Sequence, residues 1–224
     1  SLPDLKVHSL NLKNCKKLKS LPKLKTVYLN FEGCTALENL PENLAVENFD
    51  LKNYPSLKSL PKNFSGNRLR LEGSDFKSLS NLKFKYLHLE GSKIESLSDI
   101  EVEYLFLEDC TELKHLSNLK VDYLNLEGCT ALKSLPDLEL DYLNLTGCTG
   151  LKSLPELKVN TLYLDGCSLE SLPDLKVKKF HCFYPIFEYN LENLDYEKKR
   201  FEDFLKEYDI PKGDQRIIKM FLKL

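Results

Sequence analysis

The sequence predicts an α/β solenoid in which ten short parallel strands stack along a concave face, opposite a thin convex side, with a helical cap at the C-terminal end. Two observations predict the stack: an apolar pair recurs at a nearly fixed step, and apolar spacing changes from two to three just beyond each pair. A third observation, the loss of both patterns after residue 182, divides the 224-residue chain into a solenoid over residues 1–182 and a cap over residues 183–224.

The pairs are Leu10/Leu12, Leu29/Phe31, Phe49/Leu51, Leu69/Leu71, Leu87/Leu89, Leu105/Leu107, Leu124/Leu126, Leu143/Leu145, Leu162/Leu164 and Phe180/Cys182. They mark ten repeats of 18–20 residues, the first incomplete. One full unit runs Val121-Asp122-Tyr123-Leu124-Asn125-Leu126-Glu127-Gly128-Cys129-Thr130-Ala131-Leu132-Lys133-Ser134-Leu135-Pro136-Asp137-Leu138. Alternation about Leu124 and Leu126 places Tyr123, Asn125 and Glu127 on the opposite, outward side of a half-buried strand. Beyond it, Leu132, Leu135 and Leu138 fall three apart, and Pro136 cannot donate to a sheet, so the return limb is expected to be short and irregular or 3₁₀-like. A single turn cannot shield its own leucines; stacked turns bury them in one continuous row.

The repeated pattern resembles the leucine-rich-repeat superfamily over about residues 2–182. Leu135-Pro136, Leu154-Pro155 and Leu172-Pro173 are similar to short bacterial repeats, host-directed effectors among them, whereas Gly33-Cys34-Thr35 and Gly128-Cys129-Thr130 are closer to plant intracellular immune receptors. The resemblance implies a right-handed superhelix and non-enzymatic recognition of another protein through the concave face. It implies an alternative as well: the substrate-recognition part of a bacterial effector whose catalytic domain lies outside this chain, acting in a host cytoplasm. A third reading is a spacer in an adhesive surface protein.

Composition is consistent with a soluble, folded domain: 42% hydrophobic and 29% charged residues, with 32 basic and 34 acidic side chains giving a net charge of −2. That balance offers no basic excess for nucleic acid, and no apolar run is long enough to span a membrane. Seven cysteines, an odd number, favour a reducing compartment. Six of them (Cys15, Cys34, Cys110, Cys129, Cys148 and Cys167) share one repeat position just after the strand, taken in repeats three to five by Tyr54, Ser74 and Ser92. In-register thiols form a line and cannot close a tetrahedron, so they are expected to be structural fillers, with no metal or other cofactor.

The outward strand positions form three columns. The first carries Tyr86, Tyr104, Tyr123 and Tyr142; the second Phe106, Asn125, Asn144 and Tyr163; the third Glu72, Glu90, Glu108 and Glu127. Tyrosine combines contact area with a polar tip and little entropy to lose, so this aromatic strip is the expected partner-binding surface, although cross-strand rings also stabilise a sheet. The glutamates form a solvated acidic rim or the seat of a basic segment of a protein partner. Arg68 and Arg70, alone among these acids and aromatics, are expected to influence partner choice. Lysines at a shared return-limb position (Lys19, Lys58, Lys77, Lys114, Lys133 and Lys152), interrupted by Glu38, Glu95 and Glu170, suggest a basic outer ridge.

In the cap, Leu191, Leu194, Phe201, Phe204, Leu205 and Tyr208 follow a helical period, and Ile217, Ile218, Phe221 and Leu222 suggest a second helix after Pro211. The incomplete first turn, without a polar capping unit, suggests a fragment of a larger protein.

Overall fold

The computed structural model describes residues 5–26, 28–42, 44, 47–52, 54–62, 64–170, 176–181 and 188–190. All ten expected strand positions are strands. Eight of them form one continuous parallel ladder: Asn48–Asp50, Ser65–Arg70, Ser78–His88, Ser96–Phe106, Tyr123–Asn125, Leu138–Asn144, Leu157–Tyr163 and Lys176–His181. The first two, Ser9–Asn11 and Tyr28–Asn30, pair separately with each other. The chain is therefore a parallel β-solenoid, and among the described residues it contains no helix.

The ladder register aligns equivalent residues of successive turns: Tyr86 faces Tyr104, which faces Tyr123, which faces Tyr142, and Leu87, Leu105, Leu124 and Leu143 follow in step. The inward members of six consecutive pairs, from Leu69/Leu71 to Leu162/Leu164, are fully buried. A slip of one residue would turn every leucine outward, so burial locks the register and, with it, the outward columns. Towards the N-terminal end the column changes size, and Phe49, Phe64 and Phe84 fill the core, Phe49 and Phe64 tilted with centroids 4.4 Å apart and Phe64 and Phe84 edge to face at 5.4 Å.

Among the described residues, eight of the concave strands are followed by a tight turn of the 3₁₀ kind, as where the Cys110 amide donates to the Leu107 carbonyl at 3.1 Å and the Leu113 amide to the Cys110 carbonyl at 3.0 Å. The turn needs a residue at positive φ. Gly128 has φ 73°, and a Cβ there would collide with the Asp109 side chain; Asn14 and Asp109 take the same conformation at φ 61° and 56°.

The return limb corrects the expectation of an irregular segment. In repeats four to six it is extended and forms a second parallel ladder, Ser78–Leu82 against Ser96–Ile100 against His115–Leu119, continuous with the concave strands in the eleven-residue Ser78–His88 and Ser96–Phe106. The cause is visible in the residues. Where most repeats carry Pro after the limb leucine, these three carry Ser80, Ser98 and Ser117, which restore the backbone donor a ladder requires. The next residue in each, Asn81, Asp99 and Asn118, turns the corner at φ 56°, 55° and 50°, a conformation Asn and Asp tolerate best among side-chain-bearing residues.

At the C-terminal end, Glu188–Asn190 adds an antiparallel strand to the last parallel one, with Phe180 opposite Tyr189 and His181 opposite Glu188. The expected all-helical cap over residues 183–224 thus includes a strand, which pairs the otherwise open edge of the sheet. The helical periods from Leu191 onward lie outside the described residues.

Candidate functional site

The concave strands bring the aromatic residues into one connected ladder. Tyr86 and Tyr104 stack at 4.8 Å and 13°, Tyr104 and Tyr123 tilt at 5.7 Å, and Tyr123 and Tyr142 stack at 4.2 Å and 5°. The second column joins at both ends: Phe106 lies 5.5 Å from Tyr123, and Tyr163 lies 5.2 Å from Tyr142. His88, one turn before Phe106 in the same column, stacks on it at 4.6 Å and 9°. The sequence signal for this contact is the register itself. Arg68 is exposed, with its guanidinium 5.1 Å from the Tyr86 ring centroid. All six ladder aromatics of the first two columns remain partly exposed.

Two residues expected in this surface are withdrawn from it. Asn125 and Asn144 are buried, because the Tyr123 and Tyr142 rings reach across towards Phe106 and Tyr163 and fill the second column above the small amides. Their polar atoms are used internally. Asn125 Nδ2 donates to Glu108 Oε1 at 2.6 Å and its Oδ1 accepts the Glu127 amide at 3.1 Å; Asn144 repeats this with Glu127 Oε2 at 3.2 Å and the Thr146 amide at 2.9 Å. These amides orient Glu108 and Glu127.

The glutamates form a rim two residues beyond the second column. Arg70 is tied down here, its Nε donating to Glu72 Oε1 at 2.8 Å and its Nη1 lying 3.7 Å from Asp50 Oδ2. His88 Nδ1 lies 3.1 Å from Glu90 Oε1. In Glu72, Glu90 and Glu108 the other oxygen, Oε2, is buried without a hydrogen-bond partner. Burial foremost, and the neighbouring charges of Glu90 and Glu127, raise the Glu108 pKa above the ordinary carboxylate value. One ligand atom each of Glu72, His88 and Glu90 lies within 4.8 Å of the others. The rim is therefore a row of partly buried carboxylates beside an aromatic plateau.

The cysteines form a separate, inward row. Each buried thiol donates to the carbonyl of the second leucine in the preceding turn: Cys34 to Leu12, Cys110 to Leu89, Cys129 to Leu107, Cys148 to Leu126 and Cys167 to Leu145, at 2.9–3.2 Å. Tyr54 does the same with its hydroxyl, to Phe31 at 2.5 Å. Burial raises the Cys148 thiol pKa to about 12 and that of Cys129 well above its usual value, so these sulfurs act as hydrogen-bond donors rather than nucleophiles.

Two of the acids that interrupt the lysine ridge pair with its bases. Glu38 lies between Lys19 and Lys58, at 3.4 and 3.7 Å, and Glu95 between Lys77 and Lys114, at 3.4 and 2.8 Å, so each of these two acids bridges the bases of the turns on either side. Among the described residues no helix is long and apolar enough to cross a membrane. In comparison with known proteins, no family model, curated protein or solved structure matches the chain.

Proposed function

We propose that this solenoid is of the leucine-rich-repeat type, within the α/β class, and serves as a non-enzymatic module that recognises another protein through its concave face. The repeat assignment is supported by the leucine pair, the thiol-filled turn and the apolar triplet recurring in register. The function rests on one observation above all: an aromatic ladder running unbroken from Tyr86 to Tyr163 on the open face, bordered by Arg68 at one end. Rings that served only to stabilise the sheet could be buried by a covering element, yet these keep part of their surface in water. Rigid, half-exposed tyrosines are the side chains that most often anchor protein interfaces.

The arrangement also favours binding over catalysis. The buried thiols are engaged with carbonyls, and His88 is committed to Glu90 and Phe106.

The test is quantitative affinity capture with the wild-type chain and with a variant carrying Tyr104→Ser, Tyr123→Ser and Tyr142→Ser. Thermal unfolding would verify that the variant is folded. Partners enriched on the wild type should be lost on the variant; their undiminished recovery on the folded variant would refute the concave site.

A further inference from the structure

We infer that the first turn of the solenoid is a second contact surface, which seats the molecule end-on against an anionic lipid bilayer with the stacking axis along the membrane normal.

Charge points there first. Residues 5–26 contain seven lysines and neither aspartate nor glutamate, so the net charge of −2 for the whole chain hides a basic first turn under an acidic remainder. Lys6, Lys13, Lys16, Lys17, Lys19 and Lys23 are all exposed. Lys13 lies 2.9 Å from Glu32 and Lys19 3.4 Å from Glu38, both acids of the following turn. Among the described residues Lys6, Lys16, Lys17 and Lys23 make no ion pair, so their charge is free to act outward.

The same turn carries apolar surface. Leu5, Leu12 and Leu18 are partly exposed, whereas their equivalents one turn further on, Leu24, Phe31 and Leu37, are buried. Val7 is the most exposed large apolar side chain among the described residues, at 36%. The strands Leu5–Lys6 and Ser9–Asn11 each pair with the second turn alone, so among the described residues no other turn covers these groups.

Shape selects the occupant. The lysines run round the turn: Lys6 on the first short strand, Lys13 just past the concave strand, Lys16 and Lys17 in the bend that follows, Lys19 and Lys23 on the return limb. They fall within about one solenoid step of about 4.8 Å along the axis, and flexible lysine stems level what difference remains. A plane laid across this end meets every one of them, whereas an extended acidic peptide reaches those on one side only. Nucleic acid is usually gripped with arginine and stacking aromatics as well as lysine, and residues 5–26 hold no Arg, Phe, Tyr or Trp. Lysines with half-exposed apolar side chains between them match the two attractions that hold peripheral proteins on an anionic bilayer, charge and shallow apolar burial.

The acids of the chain stand back from that plane. On the second turn Glu32 and Glu38 are already paired with Lys13 and Lys19. The rim that begins at Glu72 lies three turns away, about 14 Å, beyond the Debye length of about 8 Å at physiological ionic strength. Tyr86 stands four turns away, about 19 Å, so the aromatic ladder faces sideways and stays open to a partner.

The experiment is co-sedimentation of the full chain with vesicles of phosphatidylcholine alone or with about 30% phosphatidylserine, at about 0.1 M salt. The chain should pellet with the phosphatidylserine vesicles, stay in solution with the neutral ones, and be released at about 0.5 M salt. A Lys6→Gln, Lys16→Gln, Lys17→Gln, Lys23→Gln variant should lose at least ~10-fold of the affinity. A control of equal net charge, Lys62→Gln, Lys120→Gln, Lys133→Gln, Lys152→Gln, should bind as the wild type does; all eight lysines are exposed, and thermal unfolding verifies that both variants fold. No binding to phosphatidylserine vesicles, or equal losses in the two variants, would overturn the inference. So would polyglutamate or duplex DNA that binds the chain more tightly than the vesicles and displaces them, because the first turn would then serve a soluble polyanion.

Discussion

Asn125 joins two successive turns: its Nδ2 donates to Glu108 Oε1 of the preceding turn at 2.6 Å, while its Oδ1 accepts the Glu127 amide of its own turn at 3.1 Å. Its amide is buried, whereas Asn11, which accepts the Lys13 amide in the same way, is exposed. Removing a buried partner orphans the groups left behind, while water replaces a lost bond at the surface. Asn125→Ala should therefore destabilise the fold by about 1–3 kcal/mol and Asn11→Ala by less than about 0.5 kcal/mol. Urea unfolding of the two variants measures the difference, and equal effects would contradict the oriented-rim account.

Glu108 imposes a pH dependence of defined sign. Its folded-state pKa is raised, chiefly by burial, so between the unfolded value and the raised folded value the native state binds more protons than the unfolded chain. Stability contributed by this group falls as pH rises through that window, and the penalty is fully present above the folded value. Glu108→Gln should raise the unfolding midpoint at neutral pH, by less than about 1 kcal/mol given the solvent screening of a half-exposed group. The advantage over wild type should shrink as pH falls through the window. A melting series of both proteins from neutral to acidic pH checks the sign, and a variant equally or less stable at neutral pH would contradict it.

The serines of repeats four to six make a prediction opposite to the one the repeat pattern suggests. Proline is the commoner residue at this position, yet Ser98 lies in an interior strand, paired with Ser80 on one side and Ser117 on the other. Every amide of an interior strand is directed at one neighbour, so Ser98→Pro removes a ladder donor and leaves a carbonyl unpaired. The expected loss is about 1–3 kcal/mol in chemical denaturation. An unchanged midpoint would mean that the second ladder contributes little to stability.

Ten strands, their register and the thiol row were legible in the sequence because each turn repeats the same positions, and neighbouring copies constrain one another. The second ladder was legible in principle, through Ser80, Ser98 and Ser117, but reading the repeats as one consensus hid the three departures that create it. The fate of Asn125 and Asn144 was not legible. Strand alternation places a side chain on one side of a sheet, whereas its burial there depends on how adjacent rings tilt, and Tyr123 and Tyr142 tilt over the smaller amides. For the same reason the orphaned oxygens of the glutamate rim appear only once the ring and amide positions are known.

The thiol row supplies the last prediction. Five cysteines and Tyr54 each reach the preceding turn's carbonyl, but Ser74, at the same repeat position, is buried with its Oγ unpartnered. The hydroxyl is the shorter donor, with a C–O bond in place of the longer C–S bond, and the equivalent acceptor is the Leu51 carbonyl. Ser92 differs, because its Oγ lies 3.5 Å from Cys110 Sγ. Ser74→Cys should therefore restore the missing rung, fill the position with a group that is easily buried, and stabilise the chain by about 0.5–1.5 kcal/mol, corresponding to a rise of about 1–6 °C in Tm. Ser92→Cys should gain less, since it exchanges one contact for another. Calorimetric melting of both variants under reducing conditions makes the comparison, and a Ser74→Cys protein no more stable than wild type would show that the thiol-to-carbonyl contacts fill space without adding a bond.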